Sequence, residues 1–167
     1  MKKLILVAAM VLGFAAMSFA QSSASANVTV SAAVIKGLTL SVSPATLGFG
    51  TVVAGTTPTA LSAQTNGSAP MFTLTGDGGH AVTVTYTTAS LTGPGPALTF
   101  TPSVYGDQSS ANQATSTNVT SGSTVTLTGT SPAAGNYYFW LGGDLGAISP
   151  TQTAGSYSGT FTLNVAY

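Results

Sequence analysis

Beyond residue 20, no window of this chain repeats apolar residues at i, i+3, i+4 and i+7 over three turns. Short runs rich in Thr, Val, Leu and Tyr instead alternate with Gly, Pro and Ser. That is the pattern of strands separated by turns. It predicts strands over 24–34, 37–42, 47–53, 59–63, 71–76, 81–87, 97–101, 117–119, 123–128, 136–142 and 157–167. Turns are expected at Ser43-Pro44, 55–58, Asn66-Gly67, 76–79, 93–96, Ser131-Pro132 and Ser149-Pro150, and residues 106–116 read as a polar surface loop. Many short strands without intervening helices predict an antiparallel sandwich or barrel.

Two of these runs alternate, the N-terminal one strictly. Tyr157, Phe161, Leu163, Val165 and Tyr167 occupy odd positions, mostly separated by Ser, Thr and Asn. A period of two places them on one face of a strand. Terminal residues are usually frayed, so this last run is expected to be core or a binding edge. At the other end Ala24, Ala26, Val28, Val30 and Ala32 alternate with Ser23, Ser25, Asn27, Thr29 and Ser31. Such an arm is either the first strand of its own sandwich or a detachable strand for a groove on a neighbouring subunit. Periodicity does not say which molecule a strand pairs with, so both readings stay open.

Lys2 and Lys3, the apolar run Leu4 to Ala16, and Ser18-Phe19-Ala20 have the three parts of a secretory signal peptide. The run is too short to span a membrane as a helix. Cleavage after Ala20 is expected to leave 147 of the 167 residues. The organisation expected is a signal peptide over 1–20, an arm over 21–35 and one domain over 36–167. There is no cysteine, so neither a disulfide nor a lipid-modified Cys is expected. After cleavage only Lys36, Asp77, Asp107 and Asp144 carry charge, against about a quarter of residues in ordinary soluble domains. No basic patch is available for phosphate, which argues against nucleic acid as a partner. Low charge also opposes self-association only weakly, which suits a polymer.

The inventory for catalysis is thin. Gly76-Asp77-Gly78-Gly79-His80 sets an Asp and the only His around a glycine turn. A hairpin bend stabilised by the Asp explains it better than a metal site or triad, because a third ligand and a nucleophile motif are both missing. Ser156 and Ser158 lie among glycines without forming Gly-x-Ser-x-Gly. No enzyme activity, cofactor or metal is expected. Tyr137-Tyr138-Phe139-Trp140-Leu141 sends Tyr137, Phe139 and Leu141 to one face and Tyr138 and Trp140 to the other. Tyr138 and Trp140 are a candidate sugar-stacking or subunit-contact surface, although a strand buried on both faces is the simpler reading.

The signal peptide, the alternating arm, the segment Leu47-Gly48-Phe49-Gly50-Thr51-Val52-Val53-Ala54-Gly55 and the ending from Ala154 to Tyr167 resemble fimbrial subunits of the chaperone–usher type. The likeness is nearest to spore-coat-protein-U-like and related secreted bacterial β-sandwich domains. It covers most of the chain after the signal peptide and is weak through 94–121. In that family the subunit is an immunoglobulin-like sandwich lacking its last strand. A periplasmic chaperone fills the gap first, and the arm of the next subunit replaces it at an outer-membrane usher. The resemblance implies a donor face of Ala24, Ala26, Val28, Val30 and Ala32. It implies an acceptor groove walled by Gly155, Tyr157, Phe161, Leu163, Val165 and Tyr167. Family members carry a Gly twelve residues before a Tyr near the end, the separation of Gly155 and Tyr167. Here the Tyr is last rather than penultimate, and the Cys pair of many pilins is absent.

The function expected is therefore a fimbrial subunit exported through the periplasm to the cell surface, polymerising with identical copies and supporting adhesion or biofilm formation. Two alternatives accompany it. One is a secreted, self-complemented sandwich acting as a monomeric adhesion or glycan-binding module, with Tyr138 and Trp140 as its candidate face. The other is a small outer-membrane barrel, whose strands also end on an aromatic residue, but which needs longer strands and aromatic girdles than this sequence supplies.

Overall fold

A computed structural model describes residues 27–167. Residues 27–33 belong to a unit separate from the body, Val34–Tyr167, and each is described by itself. Of the arm, Ala24 and Ala26 lie outside the described residues. Val28, Val30 and Ala32 are exposed and carry no strand assignment, the two valines at 84% and 88% exposure. The strand expected over 24–34 is thus not formed within 27–34.

The body is all-β, with every ladder antiparallel. In chain order its strands are β1 (Thr39–Ser43), β2 (Met71–Asp77), β3 (Ala81–Tyr86), β4 (Ala89–Leu91), β5 (Leu98–Asp107), β6 (Thr117–Asn118), β7 (Thr124–Thr126), β8 (Ala134–Asp144) and β9 (Leu163–Ala166). One sheet has the order β1-β2-β8-β5-β4 with β6 added to β5, and the second has the order β7-β3-β9. The strands therefore divide between two sheets rather than forming one closed ring.

Period-two alternation builds the core. On the inner face of the larger sheet Phe72 lies opposite Phe139, Leu74 opposite Tyr137 and Val104 opposite Leu141. On the smaller sheet Val82 faces Val125, Val84 faces Val165 and Tyr86 faces Leu163. Most of these residues join one buried cluster that includes Phe139, 0% exposed, and Phe72, Tyr86 and Val165 pack against it. Removing such area from water stabilises by roughly 25 cal/mol per Å².

The opposite face of β8 is buried as well. Trp140 is 3% exposed and packs with Ala63 and Ala69, with Met71, Tyr105 and Tyr138 at its margin. Five large apolar residues in succession thus mark a strand covered on both sides. Trp140 is not a surface aromatic, and the pair Tyr138 and Trp140 presents no stacking platform.

Several expected elements differ. The runs 47–53 and 59–63 form no strand; of the second, Leu61 alone bridges Gly143. Strand β5 continues to Asp107, beyond the expected 97–101 and into the expected loop, which otherwise holds a 3-10 turn at Gln113–Thr115. Pro102 makes that strand hard to read, because proline cannot donate to a ladder. It is tolerated because it lies opposite Gly143, whose N–H and carbonyl both bond Leu61, at 2.8 Å each. The turn after β2 is no hairpin either: β2 and β3 belong to different sheets, and the turn carries the chain between them. Asp77, at its start, is only 1% exposed.

Burial raises the pKa of Tyr86, which a hydrogen bond with Ser121 partly offsets. Burial also raises that of Tyr137, with the nearby charge of Asp107 adding to it and a Thr117 hydrogen bond opposing. The fold thus favours the neutral phenols, whereas the unfolded chain releases these protons near the ordinary tyrosine value of about 10. Their contribution is complete below that pH and is lost as pH rises above it. Urea unfolding should give steady midpoints from pH 7 to 9 and a fall by pH 11, and Tyr137→Phe should shrink that fall.

Candidate functional site

Two cavities stand out. A polar cleft of about 430 Å³ between β6 and β7 is lined by Asp107, Thr117, Asn118 and Tyr137 among others. Gln108 spans this seam, its Nε2 donating to the Thr126 carbonyl at 2.9 Å. The cleft is a polar join between the sheets. The other cavity is an apolar groove of about 930 Å³ on the opposite side of the sandwich, and its walls are of a different kind.

One lip of the groove is the segment 45–54, which follows β1. Pro44 ends that strand, having no N–H to continue the ladder. Leu47, Phe49 and Val52 turn toward the core, and the Phe49 ring meets Phe100 edge-on at 5.9 Å. The other lip is the segment 152–161 leading into β9. Phe161 reaches under it to Phe72 at 6.3 Å, Phe100 at 6.4 Å and Tyr86 at 5.8 Å. Leu91, Leu98, Leu141, Leu145 and Ile148 contribute to the lining.

The backbone around the groove is incomplete. Residues 45–52 and 159–161 make no backbone–backbone hydrogen bond to another described residue. Strand β9 is bonded to β3 on one side only, and β1 to β2 on one side only. Two open edges therefore flank one apolar slot. Unpaired edges of this kind template another strand, and burying them without partners would cost free energy at each group.

The acceptor residues expected from the sequence separate into three groups. Phe161, Leu163 and Val165 keep the alternation and pack against the core. Gly155 and Tyr157 line the groove but leave the row. Gly155 has φ 148° and lies against Pro94, where an added Cβ would come within 2.5 Å of Cγ; Tyr157 turns onto the Gly93–Gly95 bend. The strand expected over 157–167 thus narrows to Leu163–Ala166, preceded by a bridge between Ser158 and Thr92. Tyr167 sits at the far end of β9. Its hydroxyl donates to the Lys36 carbonyl and accepts from the Asp77 N–H, both at 2.7 Å. The lip residues Leu47, Phe49 and Val52 were readable as a strand but not as part of a site, because their partners are far apart in sequence.

Asp77 and His80 do meet. His80 Nδ1 lies 3.3 Å from Asp77 Oδ2, an oxygen that accepts no well-formed hydrogen bond, and the His80 ring meets Tyr167 edge-on at 6.0 Å. Among the described residues no group of three or more His, Cys, Asp or Glu is arranged to hold a metal ion. No helix of the described residues is long and apolar enough to cross a membrane. No family model matches this chain, and no curated protein matches it.

Tyr167→Phe removes the hydroxyl that ties Lys36, β9 and β2 together and leaves the Asp77 N–H without its acceptor. The expected loss is about 1–3 kcal/mol, read as a lower urea midpoint at unchanged slope.

Proposed function

We propose that this chain is a non-enzymatic structural subunit of a surface fibre. Its body is an immunoglobulin-like sandwich short of one strand, completed by the arm of a neighbouring copy. The observation that carries this reading is the apolar groove between two unpaired backbone edges. A strand laid there would bury alternate side chains in the slot and bond the edges, as in β-strand addition generally. Ala24, Ala26, Val28, Val30 and Ala32 supply such a strand. Val34, 92% exposed, extends the row by one position.

The direction of the strands favours a donor from another molecule. The Lys36 carbonyl is held by Tyr167 at the C-terminal end of β9. An arm folding back from Lys36 into its own groove would run the same way as β9, whereas every ladder in the body is antiparallel. A second copy can enter in the antiparallel sense. Repeated head to tail, that contact is heterologous and builds an open filament. Export through the periplasm, transient cover by a chaperone, assembly at an outer-membrane usher and a place at the cell surface complete the proposal, with adhesion or biofilm formation as the fibre's role.

Expression of the mature chain with and without residues 21–34 tests it. Unheated samples of the whole chain should give a ladder of detergent-resistant multimers on gels and fibres by electron microscopy. The ladder should vanish without the arm. It should also vanish with Val28→Asp or Val30→Asp, which would bury an unpaired charge. A stable monomer in every form would sink the reading; a heat-shifted monomer confined to membranes would favour a barrel.

A further inference from the structure

One segment bordering the groove is tied to the structure on both of its sides. Ile148 pairs with the 45–56 side: its carbonyl accepts from the Gly55 N–H at 3.0 Å and its N–H donates to the Thr56 carbonyl at 2.8 Å. Ten residues on, Ser158 exchanges two backbone bonds with Thr92, at 2.8 and 3.0 Å. The segment 148–158 is therefore anchored to one lip at its start and to the end of β4 at its finish. From residue 152 on it is the second lip, so these bonds tie that lip to the first like a brace.

Side chains lock its middle. Gln152 Nε2 donates to the Pro96 carbonyl at 2.6 Å and to the Tyr157 hydroxyl at 2.7 Å. The Tyr157 hydroxyl in turn donates to the Thr153 carbonyl at 2.8 Å. The Tyr157 ring lies so close to the bend after β4 that an added Cβ on Gly93 would fall 2.6 Å from Cδ1, and one on Gly95 2.7 Å from the hydroxyl. A side chain at either position would force the ring or its neighbours Ser156 and Thr153 to shift. Gln152 and Tyr157 thus hold the lip by hydrogen bonds within their own subunit, and neither one needs an incoming strand.

We infer that Gln152 and Tyr157 are positioning residues that keep the acceptor groove preformed, so that strand uptake by this subunit does not wait for the groove to open. The inference rests on the strand-uptake reading above and adds how the slot is maintained before a strand arrives. An apolar slot with two unpaired edges would otherwise gain by closing on itself. A brace opposes that collapse and removes the ordering cost from the binding step. If its loss lowers the open fraction to about a tenth, apparent uptake falls about tenfold.

The test uses the full mature chain carrying Val28→Asp, which disables its own arm, and a fluorescent peptide of residues 21–34. Capture is followed by anisotropy in that background and after adding Gln152→Ala or Tyr157→Phe. Tyr157→Phe keeps the ring on the glycine bend and removes only the hydroxyl; circular dichroism checks that each variant is folded. The expected result is association slowed about tenfold in both variants, with dissociation of the captured peptide unchanged. A role in general stability alone would instead shift thermal unfolding and leave association rates intact. Equal association rates in all three proteins overturn the brace while leaving strand uptake standing. No capture in any of them overturns both.

Discussion

A polypeptide edge with apolar side chains behind it is not a finished surface, and this body has two of them facing one slot. The lip 45–52 and the stretch 159–161 carry backbone groups unbonded to any other described residue, above a floor of Phe72, Phe100 and Leu141. Residues 45–52 and 159–161 are exposed or half-buried, so water serves their backbone groups as they stand; a penalty on the order of 1–3 kcal/mol per group arises only where something covers them without pairing them. A single strand satisfies many of them at once while removing the slot from water. In the proposed fibre, assembly would be driven by covering the slot and pairing its edges together more than by any single contact.

The rest of the body supports the slot. The cluster around Phe139 fixes the two sheets against each other, and the loop carrying Ala63 and Ala69 covers the outer face of β8 at Trp140. With that face buried, the aromatic run serves the core. Tyr167 ties the start of the body at Lys36 to the ends of β9 and β2. In the proposed fibre, tension would enter at the arm and leave through the groove strand, and this hydroxyl would join the two points where the subunit is pulled. The sparse charge fits the same use: close packing of copies meets little repulsion.

The sequence carried much of this in its alternation. The all-β character, β2, β3 and β8, and the inward row Phe161, Leu163 and Val165 follow from period two and turn chemistry. Pairing partners do not, because the lips of the groove are separated by about a hundred residues and periodicity has no term for distance along the chain. The segment 47–53 looks like a strand because its side chains are those of one; it lacks only the neighbour that would make the ladder. Strand β5 is hard to extend from sequence past Pro102, whose missing N–H is harmless only because Gly143 turns to Leu61. Strand β4, three residues long, is too short to register as a pattern. The brace at Gln152 and Tyr157 is invisible in sequence, since a Gln and a Tyr five residues apart signify nothing until the glycine bend at 93–95 lies beneath them.

Hydrogen–deuterium exchange across assembly tests the central claim most directly. Amides of the mature chain would be compared between assembled fibres and a monomer held apart by Val28→Asp. Completion of the groove by a neighbour's strand predicts that amides in 45–52 and 159–162 exchange quickly in the monomer. In the fibre they should become protected toward the level of the core strands, while β2 and β8 change little. Unchanged fast exchange of both segments in the fibre would contradict the account.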